Sequence, residues 1–250
     1  GARVVTLADH PDGTNINAGC GSTHPEQLQA AVTARSADLG LAFDGDADRL
    51  LAVDHSGRLI DGDQLIALCA LDRHRRGRLA RDTVVVTVMT NLGFRLGMAA
   101  HGITVRETGV GDRYVLEELE AGGFSLGGEQ SGHIIFRDLA TTGDGLLSAV
   151  QVLDVCVRTG ARLGELADEA MTRLPQVLRN VRVTGSARTV VDALGADIAA
   201  ASARLGAAGR VLVRASGTEP LVRVMAEAAD AAEAEAVVAG LVAAAESIRA

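Results

Sequence analysis

Short apolar runs rich in β-branched residues punctuate this chain, and the longer stretches between them read as helices. Residues 3–8 (RVVTLA) predict a strand, followed by a Gly/Asp/Asn loop and a helix capped by Thr23, with Glu26 three residues on. Residues 39–43 return as a strand, so the segment to about residue 58 is expected to be a strand-helix-strand piece of a mostly parallel sheet. It is too small to stand alone, and a start at Gly1 fits a truncated or processed product. From Asp61 to about Arg173 the expected order is helix, strand (TVVVTVM), helix, strand (ITVRE), helix, two short strands (FSLGG and HIIF), then helices. That order describes an α/β domain with a mixed sheet. From about Leu174 it becomes strand (VLRNVRV), helix, two consecutive strands (RVLVR and LVRVMAEA) and an Ala-rich closing helix, an antiparallel α+β pattern. The expected domains are 1–58, 59–173 and 174–250.

Composition narrows the function. A chain of 250 residues can bury a large core, and its apolar runs fall far short of the roughly 18 residues of a membrane span. No stretch reads as a signal peptide. A net charge of -8 argues against nucleic acid or anionic membrane as the main partner. The basic run Arg73-His74-Arg75-Arg76-Gly77-Arg78 falls at a predicted helix C-terminus, where cations complement the dipole. Cys20, Cys69 and Cys156 form no CxxC pattern and suit reduced core thiols in cytoplasm. All 24 Lys and Arg residues are Arg. That excludes a Walker lysine, a Schiff base and pyridoxal chemistry, and it makes each Arg contact to an anion planar and open to bidentate bonding.

The most informative segment is Phe43-Asp44-Gly45-Asp46-Ala47-Asp48-Arg49. Three alternating carboxylates repel one another unless a cation sits among them. Their hard oxygen donors favour Mg²⁺, and so phosphoryl chemistry. An EF-hand starting at Asp44 would need Gly and Glu where Arg49 and His55 stand. The plainer alternative is a solvated acidic hairpin turn.

Three further loops carry polar groups. Arg214-Ala215-Ser216-Gly217-Thr218-Glu219-Pro220, with Arg223 beyond it, offers hydroxyls, backbone N–H groups and two guanidiniums as a phosphate cradle. Gly127-Gly128-Glu129-Gln130-Ser131-Gly132-His133 suits sugar hydroxyls, though Glu129 could be merely solvated and His133 merely a strand end. Gly109-Val110-Gly111-Asp112-Arg113-Tyr114 fails as a dinucleotide fingerprint because Tyr114 stands where a small residue must pack. It reads instead as a helix N-terminus able to attract an anion, with Arg113 beside it. Asp144 reads as a helix N-cap. Ser22 and His24 suggest a nucleophile and base, but no matching acid is evident.

Taken together and in order, DGDADR (44–49), GEQSGH (128–133) and RASGTEP (214–220) resemble the α-D-phosphohexomutases. The likeness extends through NINAGCGSTHPE (15–26), VGDRYV (110–115) and TTGDGLLSAVQVL (141–153), and Gln130 resembles the branch acting on glucosamine phosphates. The resemblance implies part of one α/β domain, one complete α/β domain and a smaller α+β C-terminal domain. It also implies an N-terminal partner domain bearing a phosphoserine in a Ser-His-Asn-Pro type loop, which these residues lack. By the same resemblance Asp44, Asp46 and Asp48 would hold Mg²⁺, and Arg49 would contact the phosphoryl group in transfer. Glu129 and Ser131, with His133 in the same loop, would bind the hexosamine phosphate. Arg214, Ser216, Gly217, Thr218 and Arg223, helped by Arg113, would hold the unreacting phosphate. A phosphomannomutase or phosphoglucomutase, or a noncatalytic sugar-phosphate-binding module, are the rivals.

Overall fold

The computed structural model describes residues 1–216 and 219–248. It divides into two compact units, Gly1–Thr172 and Arg173–Ala250.

The first unit opens with a segment that does not follow the sequence reading. Residues 3–8 form no strand, and Val4 and Val5 are 75% and 50% exposed. A strand exists only against a hydrogen-bonded neighbour, and apolar character alone cannot supply one. The first helix, α1 (Glu26–Arg35), begins with Pro25 at its N-cap position and no side-chain cap. The expected Thr23 capping box is therefore absent, because the helix starts too late for Thr23 to reach its first turn.

Next come β1 (Leu39–Phe43), β2 (Leu50–Asp54) and β3 (Leu59–Ile60), which form an antiparallel meander rather than the expected parallel piece. Phe43 pairs with Leu50. The intervening residues 44–49 are too few for a parallel crossover, which takes about a dozen residues. The acidic segment is thus a hairpin connection.

The larger sheet follows the predicted order. Its elements are α2 (Gly62–Arg75), β4 (Thr83–Thr87), α3 (Leu92–Ala100), β5 (Thr104–Thr108), α4 (Asp112–Gly122), β6 (Leu126–Gly128), β7 (Ile134–Phe136), α5 (Gly145–Thr159) and α6 (Leu163–Ala170). The sheet order is β5-β4-β6-β7, with β4 parallel to β5 and β6, and β7 antiparallel to β6. All five β4 residues are buried, as expected of a strand covered on both faces. Val84 and Val86 join the core shared with α2, α3, α5 and α6, while Val85 packs with Val115, Leu119 and Ile135 on the α4 side. Full burial of each valine contributes about 1.5 kcal/mol. The meander shares the first core through Leu50, Ala52 and Ile60. It is also tied to α6 by Arg58, which bonds Asp54 Oδ2 at 3.0 Å, Asp168 Oδ1 at 2.7 Å and the Gly164 carbonyl at 3.1 Å.

Ion pairs satisfy most of the basic run: Arg73 pairs with Asp138, His74 with Asp82, Arg75 with Glu169, and Arg76 with Asp72. Cys69 is wholly enclosed, and burial pushes its thiol up to about 12, as suits a core filler. Among the described residues, no helix is long and apolar enough to cross a membrane.

The second unit contains β8 (Gln176–Arg182), α7 (Ala187–Ala193), α8 (Gly195–Leu205), β9 (Arg210–Ala215), β10 (Leu221–Glu227) and α9 (Ala231–Ser247). Its antiparallel order is β8-β10-β9. Val222, Val224 and Ala226 alternate onto the face packed by Val190, Leu205, Val237, Val238 and Leu241 from the three helices. The intervening residues of β10, Arg223 among them, occupy the other face.

Candidate functional site

Two loops of the first unit meet the acidic hairpin. Within it, Asp44 Oδ1 accepts from the Arg49 backbone N–H at 3.2 Å, and the Ala47 N–H donates to the Asp44 carbonyl at 3.1 Å. Ala47 sits at φ 57°, a left-handed conformation that costs a non-glycine residue about 1 kcal/mol and persists only where neighbours hold it. One such neighbour is Gly145, the first residue of α5, whose N–H donates to the Ala47 carbonyl at 2.9 Å. Asp144 caps that helix by accepting from the Leu147 N–H at 2.9 Å, as the sequence predicts.

The loop Gly128–His133 forms the second wall. Leu50 N–H donates to the Gly132 carbonyl at 2.9 Å, and Arg49 bridges to His133 in antiparallel fashion. Gly132 has φ +96°, and a Cβ there would lie 2.2 Å from the Leu50 carbonyl oxygen, so no other residue fits. Glu129 Oε1 accepts from the Gly111 N–H at 3.0 Å. The helix N-terminus expected to attract an anion therefore holds a carboxylate of the protein's own. Arg113, in the first turn of that helix, is 82% exposed along its side chain and pairs with Glu117 at 2.7 Å. Ser131 is exposed.

The charges are unevenly balanced. Asp48 titrates above the ordinary carboxylate range, first because burial disfavours its anion and then because Asp44 stands beside it. His133 and Arg49 offset this only in part. Arg49 Nε lies 3.9 Å from Asp44 Oδ2 and 4.0 Å from Asp48 Oδ1. His133 Nε2 is 3.6 Å from Asp48 Oδ2, and its buried Nδ1 has no hydrogen-bond partner among the described residues. Asp46 is exposed. The structure thus brings Asp44 and Asp48 together, but among the described residues no three convergent His, Cys, Asp or Glu side chains are arranged to hold a metal ion.

The second unit carries the other candidate cluster. In the β9–β10 hairpin Arg210 stands opposite Glu227, and the two form bonds of 3.1 and 3.0 Å. Two repeats further along the same face, beyond the Leu212–Met225 pair, Arg214 stands opposite Arg223. Like charges placed directly across a ladder destabilise it. Burial and then the Arg223 charge lower the Arg214 pKa, and Arg223 Nε is buried without a hydrogen bond. Neither arginine has an ion-pair partner among the described residues. Ser216 follows, its N–H bonded to the Leu221 carbonyl at 2.8 Å. Gly217 and Thr218 lie outside the described residues. The sequence reading passed over Gly145 and Asp61, although Asp61-x-x-Gln64 is a legible capping box, formed in the structure at the start of α2.

Two family models match the chain: the phosphoglucomutase/phosphomannomutase alpha/beta/alpha domain III over residues 61–174, and the C-terminal domain of the same family over residues 178–244. The chain belongs to the phosphoglucomutase/phosphomannomutase family. Within that family it is 61% identical over 229 residues to a phosphoglucosamine mutase of Desulforudis audaxviator, covering 91% of this chain and 51% of the relative. It is 56% identical over 242 residues to the phosphoglucosamine mutase of Symbiobacterium thermophilum, covering 96% and 54%. The chain spans about half the length of these curated relatives. Among solved structures it resembles Aspergillus fumigatus N-acetylphosphoglucosamine mutase in complex with GlcNAc-6P and magnesium, with a TM-score of 0.71, 26% identity, and coverage of 90% of this chain and 52% of that one. A phosphoglucomutase/phosphomannomutase family protein of Burkholderia thailandensis shares the fold at TM-score 0.74 and 24% identity, covering 92% and 52%. This membership accounts for both the mixed α/β sheet and the smaller α+β unit.

Proposed function

We propose that the chain forms the metal-, sugar- and phosphate-binding part of a phosphoglucosamine mutase. The complete protein interconverts glucosamine 6-phosphate and glucosamine 1-phosphate through a 1,6-bisphosphate, with the phosphoserine on a domain outside these 250 residues. The observation carrying this reading is the fusion of the acidic hairpin to the Gly128–His133 loop through the Arg49–His133 bridge. A sugar held by that loop would lie beside the acidic hairpin.

The hairpin's donor chemistry suits Mg²⁺, because a hard cation stabilises the Asp48 anion that burial, and then the neighbouring Asp44, disfavour. Asp44, Asp46 and Asp48 would hold the ion, and bound Mg²⁺ would supply positive charge to a phosphoryl group. Arg49, 46% exposed along its side chain, is free to add hydrogen bonds to the group in transfer, the main protein contribution in such reactions. Glu129 and Ser131, with His133 behind them, would orient the sugar. Arg214, Ser216, Gly217, Thr218 and Arg223 would hold the other phosphate. A cradle indifferent to which phosphate it holds lets the bisphosphate rebind reversed.

The test is calorimetric titration of glucosamine 6-phosphate, with Mg²⁺, into the chain and its Arg214→Lys and Arg223→Lys variants. Loss of the bidentate fork should weaken binding about tenfold. Unchanged affinity removes the cradle from the reading. A noncatalytic sugar-phosphate-binding module is the second reading, because the opposed Arg214 and Arg223 and the Gly128–His133 loop account for binding without group transfer. Turnover by a protein joining these residues to the serine-bearing domain would exclude it.

A further inference from the structure

Asp61 belongs to none of the loops singled out from the sequence, yet it touches one of them. Its Oδ1 accepts from the Gln64 backbone N–H at 3.2 Å as the N-cap of α2, and its Oδ2 accepts from Gln130 Nε2 at 3.4 Å. The next residue, Gly62, donates its N–H to the Gln130 carbonyl at 3.1 Å. A Cβ at Gly62 would lie 2.3 Å from the Glu129 carbonyl oxygen, so glycine permits this close approach. The middle of the Gly128–His133 loop therefore rests on the N-terminus of α2 through both backbone and side chain.

This contact decides the orientation of one amide. A carboxylate only accepts hydrogen bonds, so the Gln130 nitrogen must face Asp61. At 3.4 Å the bond itself is long. What excludes the flipped amide is repulsion, since it would set Oε1 against an anion. With Nε2 engaged by Asp61, Gln130 Oε1 is the amide's remaining group, and it makes no hydrogen bond among the described residues. Its neighbour Glu129 adds a carboxylate. At these two side chains the loop offers acceptors.

We propose that Asp61 is a specificity-determining residue: by turning the Gln130 carbonyl outward it favours a sugar phosphate bearing an ammonium group over one bearing a hydroxyl at the same carbon. This rests on the mutase reading above. An ammonium has three donors and no acceptor, so it needs an oxygen facing it. A hydroxyl is satisfied by either end of an amide. Turning the amide would thus repel the amino sugar and spare the neutral one.

Asp61→Asn tests this, because Asn caps a helix as well as Asp but can present its own NH₂ to Gln130 and so reverse it. Asp61→Ser keeps a cap and removes the contact. The measurements are the Gln130 side-chain amide resonances and calorimetric titrations with glucosamine 6-phosphate and glucose 6-phosphate. The wild-type chain should favour the amino sugar, and Asp61→Asn should lower that preference about tenfold with an unchanged unfolding midpoint, Asp61→Ser falling between. An unchanged preference in both folded variants overturns the proposal, as do Gln130 resonances indifferent to Asp61→Asn. A wild-type chain that binds neither sugar phosphate overturns the mutase reading and the preference built on it, and the amide resonances separate that failure from an error in the Gln130 orientation.

Discussion

The acidic hairpin and the arginine pair are the two strongest concentrations of like charge at the candidate sites, and the protein treats them differently. Around the hairpin, Arg49 approaches both Asp44 and Asp48, and His133 approaches Asp48. Backbone bonds from Gly145 and to Gly132 fix the turn. Across β9 and β10, Arg214 and Arg223 face each other with no anion between them among the described residues. The Arg210–Glu227 pair, four residues along the same face, shows that the same ladder accommodates a complementary couple. Electrostatic tension in the first unit is partly relieved by the fold. In the second no described side chain relieves it.

Breaking the seat of the hairpin should have the largest effect. Gly132→Ala combines a left-handed backbone with a Cβ 2.2 Å from the Leu50 carbonyl oxygen, and should destabilise the first unit by about 3 kcal/mol in urea denaturation. A loss well under 1 kcal/mol would mean that the two loops are not mechanically joined.

Asp54→Asn probes whether internal charge satisfaction stabilises the first unit. Burial raises the Asp54 pKa, but bonds from Ser56 and Arg58 outweigh it, leaving the carboxyl below its ordinary value. The side chain is 4% exposed, and the change should cost about 2 kcal/mol at pH 7. Because the folded pKa is depressed, the contribution is complete above the unfolded value near 4 and disappears as pH falls through the lower folded value. Variant and wild-type stabilities should converge there, and a constant gap across the acid range would contradict the assignment.

The smallest effect has the most informative sign. Arg223→Met removes one of two opposed cations and should leave the second unit as stable or more so, by about 0.5 kcal/mol. Inorganic phosphate should raise the melting temperature of the wild-type chain and leave that of the variant unchanged. Marked destabilisation without phosphate would show that Arg223 is a structural residue.

What the sequence revealed depended on whether the deciding interactions were local. The Asp144 cap and the order of elements from α2 to α6 follow from neighbouring residues, and both are found, whereas the single helix expected between β8 and β9 is two, α7 and α8. The strand at 3–8 and the parallel meander required knowledge of pairing partners distant in sequence, and both expectations fail. The Thr23 box had the right residues, but the helix begins at Glu26. The crowding of Asp44 and Asp48 was legible from the composition of the acidic loop, whereas the contact of Asp61 with Gln130 spans 69 positions and left no local trace.

The central place of β10 also sets an order of events during synthesis. β8 and β9 pair with β10 and not with each other, so residues 176–182 emerge with no sheet partner until residues 221–227 follow. Folding of this unit cannot proceed strand by strand as the ribosome advances, and must wait for the last strand to close the sheet from its middle.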